Sequence, residues 1–562
     1  MNQHDESPEV DVSSSYEPES PVAPPGTPAP PRYDRGFLMC VGIAVLGLAV
    51  AVVAQVFAPD LDHQNANIVT MVAVAVACIA LLVLAHRKLR KLSIALVPVF
   101  TFGTFALLAI LFRFDGFSGE MWPIFVWRLS GDASIPLPEL ESESLEDITN
   151  PGGLESGSLD RTSPQFLGPN RNGVYARRDF DVPRTLSDVQ VLWDQGIGPG
   201  WSSFAVADGL AVTQEQREES ECLTAYRIND GALVWMQTHP GLHTNLLGGS
   251  GPRSTPTIHE NRVFALSATG YLWCVDLHTG DLVWTADLNS IAGWSQSEFE
   301  QVAPWGHASS PLIVDGLCVL AFGAPDSFSG GRSLIAMSTE TGDIAWTAGD
   351  DQLSYASPVL LTLAGQRQIV SVNESTVSGH LVGDGKPIWS FSWPGSTNTG
   401  ANCAAAIPVG SDRVLVGKGY GGGSALYQIS QNEDATFSAT ELWKSSRVMK
   451  TKFNHACIDG EIGFGISNGA VQAVDLREAS QFWLQPRADR AGQGQMILAD
   501  DVLIVQCESG EVQFIAATPE QYRELGRLDL LNSKTWNIPT LAGRYLIVRN
   551  DRQAVCMLLP QR

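Results

Sequence analysis

Basic residues are scarce in this chain of 562 residues: 36 Lys and Arg stand against 60 Asp and Glu, a net charge of −24. That balance excludes sequence-independent binding to a phosphate backbone, which requires a basic face. Cysteine is also thin, nine in all, with no C-x-x-C pair and no Cys/His cluster at zinc spacing, so neither a disulfide framework nor a structural zinc site organises the chain. Cys40 and Cys78 fall in apolar stretches. Cys222, Cys274, Cys318, Cys403, Cys457, Cys507 and Cys556 are spread along expected strands, where core packing is the default and a bridge between neighbouring units the alternative. A phosphate loop is missing too: the Gly-rich run 417–423 lacks G-x-x-x-x-G-K-[ST] and precedes no helix, so it reads as a hairpin turn. What the chain does have is a hydrophobic fraction of 44%, enough to bury a sizeable core and too much for a wholly disordered protein.

Residues 1–35 are rich in Pro, Ser and acid without apolar periodicity, and are expected to form a disordered tail. Three apolar stretches follow, 37–58, 68–85 and 92–112. At about 1.5 Å per residue each can cross a hydrocarbon core of roughly 30 Å, so region 36–112 is expected to hold three transmembrane helices. The segment 86–91, HRKLRK, carries four Lys/Arg, whereas 58–67 carries none. Basic loops stay in the cytoplasm, which places the tail there and everything after the third span on the far side, the periplasm of a double-membrane bacterium. Residues 113–131 mix Trp122, Phe125 and Trp127 with Arg113 and Arg128, a composition suited to the headgroup region. Eight acids and no Lys or Arg in 132–160 read as a self-repelling spacer, so 113–162 forms an interfacial segment and acidic linker.

From 163 to 562 short β-branched and aromatic runs alternate with Gly/Asp/Asn turns, an all-β signature. Within it GALVW (231–235), GDLVW (280–284), GDIAW (342–346) and GKPIW (385–389) share the pattern Gly-x-x-x-Trp. Looser copies end at Trp443 and Trp483, and an earlier one at Trp193. The Trp residues are separated by 42, 49, 62, 43, 54 and 40 positions, a period suited to four-stranded propeller blades. The physical logic is local: Gly takes a φ > 0 turn position, and the indole four residues on fills the wedge between blades. Trp193, Trp235, Trp284, Trp346, Trp389, Trp443 and Trp483 are thus assigned a structural role. Counting units gives an eight-bladed β-propeller, with seven the alternative count. The last blade is one strand short, and residues 191–194 can complete it and close the ring.

The stretches AYRINDGALVW (225–235) and CVDLHTGDLVW (274–284) resemble the repeat of the pyrroloquinoline-quinone (PQQ)-type β-propeller family, and PQFLGPNRNGV (164–174) resembles a leading segment found in membrane-anchored bacterial members. The resemblance implies a propeller fold and two alternative functions. One is the non-catalytic docking role of BamB-like scaffolds; the other is PQQ-dependent oxidation, as in the quinoprotein dehydrogenases. The latter implies calcium held by carboxylate and amide oxygens, an Asp base and, in alcohol dehydrogenases, an adjacent Cys pair. No adjacent Cys pair exists in this sequence, and no base or calcium ligand can be assigned. BamB is a lipoprotein, whereas this chain has apolar spans.

Propellers bind where loops from every blade converge around the axis. Aligning the blade starts yields one residue per blade: Trp201, Arg253, His307, Tyr355, Asn402, His455, Gln493 and Trp536. Such a ring can clasp a planar anion or a peptide carboxylate, with Arg253 as a bidentate fork. It can equally serve only to satisfy loop backbones at the channel mouth. No carboxylate shares the column with His307 and His455, so no metal site is expected. The expected function is a membrane-anchored extracytoplasmic scaffold that binds a protein partner or envelope component, without cofactor; a PQQ-dependent oxidoreductase is the alternative. The acidic surface disfavours anionic lipid headgroups, and no output domain supports a transducer.

Overall fold

The computed structural model describes residues 35–58, 62–88, 93–129, 135–140, 162–324, 332–398 and 400–562. The Pro/Ser/acid-rich tail and most of the acidic spacer lie outside these residues.

Three helices come first: α1 (Arg35–Val56), α2 (His63–Lys88) and α3 (Ser93–Leu111). By length and composition α1 and α2 are apolar enough to cross a membrane. Small residues let these two approach closely: Ala44 packs on Ala77 and Ala80, and a Cβ on Gly47 would stand 2.8 Å from the Ala73 carbonyl oxygen. This is the packing expected where no water drives association. Their large side chains, among them Leu46, Val52, Val72 and Ile79, point outward and exposed. After α3 the strands Phe112–Phe117 and Pro123–Trp127 form a hairpin. Phe114 meets Phe125, and Phe112 meets Trp127, at ring-centroid distances of 5.7 and 4.9 Å.

The remainder is an eight-bladed propeller. Blades 1 to 7 span 205–240, 257–287, 312–348, 359–392, 407–445, 457–484 and 495–529, each a four-strand antiparallel meander; a parallel strand, Val174–Tyr175, extends the seventh. Blade 8 takes three strands from 540–558 and its outermost strand, Gln190–Gly196, from the start of the domain. The ring therefore closes by pairing Gln553–Leu558 with Gln190–Gly196, which leaves neither end of the domain as an open edge. Middle strands such as Ala470–Asp475 and Val502–Gln506 are buried along their whole length, because both faces of each sheet pack on neighbouring blades. Outermost strands such as Ser480–Leu484 bury only one residue, the Trp.

Five of the seven blade indoles make the same contact. Trp193, Trp235, Trp284, Trp443 and Trp483 donate Nε1–H to the carbonyls of Ile228, Leu277, Thr339, Leu476 and Thr518, all in the turn between the third and fourth strands of the next blade. Trp389 instead donates to Gln368 of its own blade. Trp346 is buried, yet its Nε1 has no partner among the described residues. The glycine of each motif is the seat for the preceding indole: a Cβ on Gly280, at φ +72°, would lie 2.7 Å from the Trp235 ring. Gly-x-x-x-Trp therefore couples two joints, receiving one indole and sending the next. All nine cysteines are free, so no disulfide bridges the blades.

The segment leading into the propeller crosses beneath several blades. Ser163 pairs with Val206 of blade 1, and the Pro164 carbonyl accepts from Ile258 of blade 2. The Arg171 guanidinium donates to the carbonyls of Ser310, Pro311 and Pro358 at the starts of blades 3 and 4. Phe166 and Leu167 join a core cluster with residues of blades 4 and 5.

Candidate functional site at the funnel

The funnel holds a cavity of about 460 Å³, within the range of roughly 300–1,000 Å³ that takes a drug-sized molecule. Five members of the predicted column line it: Trp201, Arg253, Tyr355, His455 and Trp536. The other three do not. His307 is stacked on Phe299 at 4.8 Å, with Nε2 3.4 Å from Asn289 Oδ1. Asn402 Nδ2 donates to the carbonyls of Asn373, Glu374 and Trp393, holding a loop. Gln493 is buried beneath the hairpin tip, where a Cβ on Gly119 would come within 2.5 Å of its side chain. Local partners decide which column side chains reach the opening: Phe299 and Asn289 hold His307, three carbonyls hold Asn402, and the hairpin tip covers Gln493.

The aromatic wall is continuous. Trp201 and Trp536 lie 4.8 Å apart and Trp536 and Phe453 5.1 Å apart, while Phe166, Trp305 and Tyr420 complete the lining. Lys534 sits 4.4 Å above Trp536 and 5.5 Å above Trp201, close enough for cation–π attraction. Among the described residues Arg253 is the only ionised side chain of the lining. It donates through Nη1 to the Gly251 carbonyl at 2.8 Å and through Nη2 to those of Gly248 and Gly249 at 3.2 and 3.4 Å. Burial lowers its pKa to about 10, so it keeps its charge at neutral pH. His455 is pushed down to about 4 by burial first and by Arg171 second, and is neutral. Burial drives the Tyr355 phenol up, and its hydroxyl donates to the Thr397 carbonyl at 3.0 Å.

The roof of this cavity belongs to the N-terminal part of the chain, ahead of the propeller. Gln64, Asn65 and Ile68 of α2 and Ser118, Gly119 and Met121 of the hairpin tip all line it. The seat is polar and lies over blades 6, 7 and 8. Lys452 Nζ donates to Gln64 Oε1 and to the Gly119 carbonyl at 3.1 and 3.2 Å, and stands 3.5 Å from Asp62 Oδ1, both charged side chains being 0% exposed. Burial pulls the Lys452 ammonium below the usual lysine range, opposed mainly by Asp62. Arg490 pairs with Glu120 at 2.7 Å and Arg552 with Asp115 at 2.9 Å. Glu508 accepts from the Gly119 amide and from Trp536 Nε1. Asn67 Nδ2 donates to the Glu120 carbonyl at 2.7 Å, tying α2 to the hairpin.

None of Lys452, Asp62, Glu120 or Glu508 was in the predicted column. The available signal was Lys452, a cation just before a blade start in an otherwise acid-rich chain; its partners Gln64 and Gly119, 388 and 333 residues away in sequence, had no repeat to betray them.

The family model described as outer membrane protein assembly factor BamB matches residues 186–324 and 219–485, more than half of the chain. The chain belongs to the PQQ-type β-propeller repeat family. Among solved structures, BamB from Moraxella catarrhalis is 12% identical at TM-score 0.46, the match covering 66% of this chain and 100% of that one. A europium-containing methanol dehydrogenase is 10% identical at TM-score 0.51, covering 71% and 99%. Quinohemoprotein alcohol dehydrogenase ADHIIG from Pseudomonas putida HK5 is 12% identical at TM-score 0.48, covering 72% and 81%. No curated protein gives a significant match. At these identities the neighbours of a PQQ-type propeller speak to its fold alone.

Proposed function

We propose that this PQQ-type propeller is a membrane-anchored scaffold: α1, α2 and α3 cross the inner membrane, the N-terminal tail is cytoplasmic, and the propeller stands in the periplasm and binds a protein partner or envelope component. The observation that carries this reading is the seating of the funnel on Asp62, α2 and the hairpin tip, through Lys452, Arg490 and Arg552. The helix ends that meet the propeller are those the basic-loop rule assigns to the far side, and α2 closes at its other end on His86, Arg87 and Lys88. The 26 residues of α2 and 19 of α3, at about 1.5 Å each, separate the two sides by roughly the thickness of a bilayer. This favours α3 as a third crossing.

A PQQ–calcium centre fits the funnel poorly. Calcium takes carboxylate and amide oxygens, whereas among the described residues the lining offers amides from Gln64, Asn65, Asn398 and Gln495 but no Asp or Glu, and Cys403 has no cysteine neighbour in sequence. No group of three His, Cys, Asp or Glu gathers anywhere among the described residues. The lining therefore supports binding over quinone redox chemistry. With its mouth covered by its own chain, the propeller has its rim and opposite face left for a partner, a use compatible with the assembly-factor description of its family.

The test is cross-linking in intact envelopes, with photoreactive residues placed on the outermost strands, followed by capture of the full chain. A specific adduct is expected; recovery of background alone would reject the scaffold reading. Addition of PQQ and calcium to the purified chain should give no dye reduction with alcohols, and reduction would favour the oxidoreductase.

A further inference from the structure

The funnel cavity carries a charge imbalance that scaffold binding does not use. Arg253 is its single ionised side chain, its three hydrogen bonds go to backbone carbonyls, and no carboxylate lies within ion-pair distance among the described residues. His455 lines the same cavity at 4% exposure, and neither ring nitrogen has a partner among the described residues. A buried neutral imidazole offers one donor and one acceptor, and leaving both unmade is costly. The greater part of the wall is indole, phenyl and alkyl, from Trp201, Trp305, Phe453, Trp536, Ile68 and Met121, interrupted by the uncharged amides of Gln64, Asn65, Asn398 and Gln495. Such a lining matches a molecule with an apolar body and one anionic head.

The roof indicates where that molecule comes from. Ile68 faces the cavity and opens the apolar run of α2, and the hairpin tip is joined to α3 by six residues of strand. If those helices span the membrane, the cavity opens at the bilayer boundary. We propose that the funnel binds a single-headed anionic amphiphile taken from the adjoining leaflet, its head on Arg253 and its apolar body among the aromatic wall. This rests on the anchoring reading above. The net charge of −24 opposes approach of anions over long distances, but exterior charge is screened beyond about 8 Å at physiological ionic strength. Inside the funnel the guanidinium sets the sign.

The test uses the full chain reconstituted in phosphatidylcholine vesicles and reads quenching of tryptophan fluorescence by brominated probes: dibromopalmitate in one arm, dibrominated phosphatidylglycerol in the other. Dibromohexadecanol, which lacks the charge, sets the baseline for the interfacial tryptophans. The expected result is saturable quenching above that baseline by one or both anionic probes, a midpoint raised at least tenfold in Arg253→Gln, and a midpoint within threefold of the parent in Arg253→Lys. Saturation by palmitate alone identifies a free fatty acid, and saturation by the lipid alone a phospholipid. Quenching by both anions that never exceeds the alcohol baseline, or that is the same in Arg253→Gln as in the parent, overturns the proposal. Carbonate extraction of the same vesicles keeps the two readings apart. A chain that stays with the bilayer but shows no Arg253-dependent quenching loses only the amphiphile, whereas one that is extracted loses its anchoring.

Discussion

Two kinds of joint hold this molecule together, and they are built on opposite principles. Between blades, an indole from one outer strand packs on the glycine of the next turn and donates one hydrogen bond to a backbone carbonyl, and the device recurs around the ring. Between the propeller and the N-terminal helices and hairpin, the contact is made once, from buried or half-buried charges: Lys452 with Asp62, Arg490 with Glu120, Arg552 with Asp115. The first is mainly apolar and insensitive to partner identity. The second is costly to desolvate unless each partner is present, so it specifies one docking geometry.

The largest expected break is at the ring closure. Deleting residues 190–196 removes the outermost strand of blade 8 and exposes both the unpaired edge of Gln553–Leu558 and the seat of Trp193. Thermal melting of the full chain in detergent should lose its cooperative transition, and limited proteolysis should cut within 530–562. Retention of the parent melting curve would mean that the ring does not depend on this strand.

The docking joint should break more selectively. Lys452→Met leaves Asp62 buried without its cation, and loss of one member of a buried pair typically costs about 3–5 kcal/mol. Because the cost falls on docking, hydrogen exchange at 118–121 should rise while the blade strands stay protected. Replacing both members, as Lys452→Met with Asp62→Leu, should restore much of the protection, since an apolar pair of similar volume avoids the stranded charge. If the single variant exchanged no faster at the hairpin tip, the charge pair would not be what holds the roof.

The same contrast explains what sequence reading reached. The propeller could be read from the period of its Gly-x-x-x-Trp units, and its closure by residues near 191–194 from the count of strands, which left the last blade one short. The funnel column was legible in part. Trp201, Arg253, Tyr355, His455 and Trp536 reach the cavity, but His307 turns onto Phe299 of the helical insertion at 288–302, and Asn402 onto the carbonyls of Asn373, Glu374 and Trp393, local partners that the blade period does not announce. The roof was not legible at all. Asp62, Gly119 and Glu120 occur once each, in segments whose composition speaks only of membrane proximity. Their meaning lies in Lys452, Gln493 and Arg490, which the fold brings beside them.

Acidification should reveal the buried histidines of the funnel side. His243, His307 and His455 are held down, to about 3, about 4 and about 4, in each case first by burial. In the unfolded chain the same rings titrate near 6.5. A lowered folded pKa means that the unfolded state binds more protons between the two values, so this contribution is complete above pH 6.5 and is lost as pH falls toward 4. The melting temperature should therefore decline across that window, and less steeply in His455→Phe, whose ring can keep the edge contact with Phe166. An equal slope in the variant would show that His455 is protonated without penalty.

The smallest effect separates the packing and hydrogen-bonding parts of the blade joint. Trp235 Nε1 donates to the Leu277 carbonyl at 2.8 Å, whereas Trp346 Nε1 is buried with no partner among the described residues. Replacing either by Phe removes similar apolar area, but only Trp235→Phe breaks a bond, whose net worth is about 0.5–1.5 kcal/mol. Trp346→Phe instead removes a donor that gains nothing in the folded state. Trp235→Phe should thus be the more destabilising by about 1 kcal/mol in denaturant titrations of the full chain. Equal losses would place the whole strength of the joint in packing of the indole on its glycine seat and leave the recurring N–H···O contact as a matter of register.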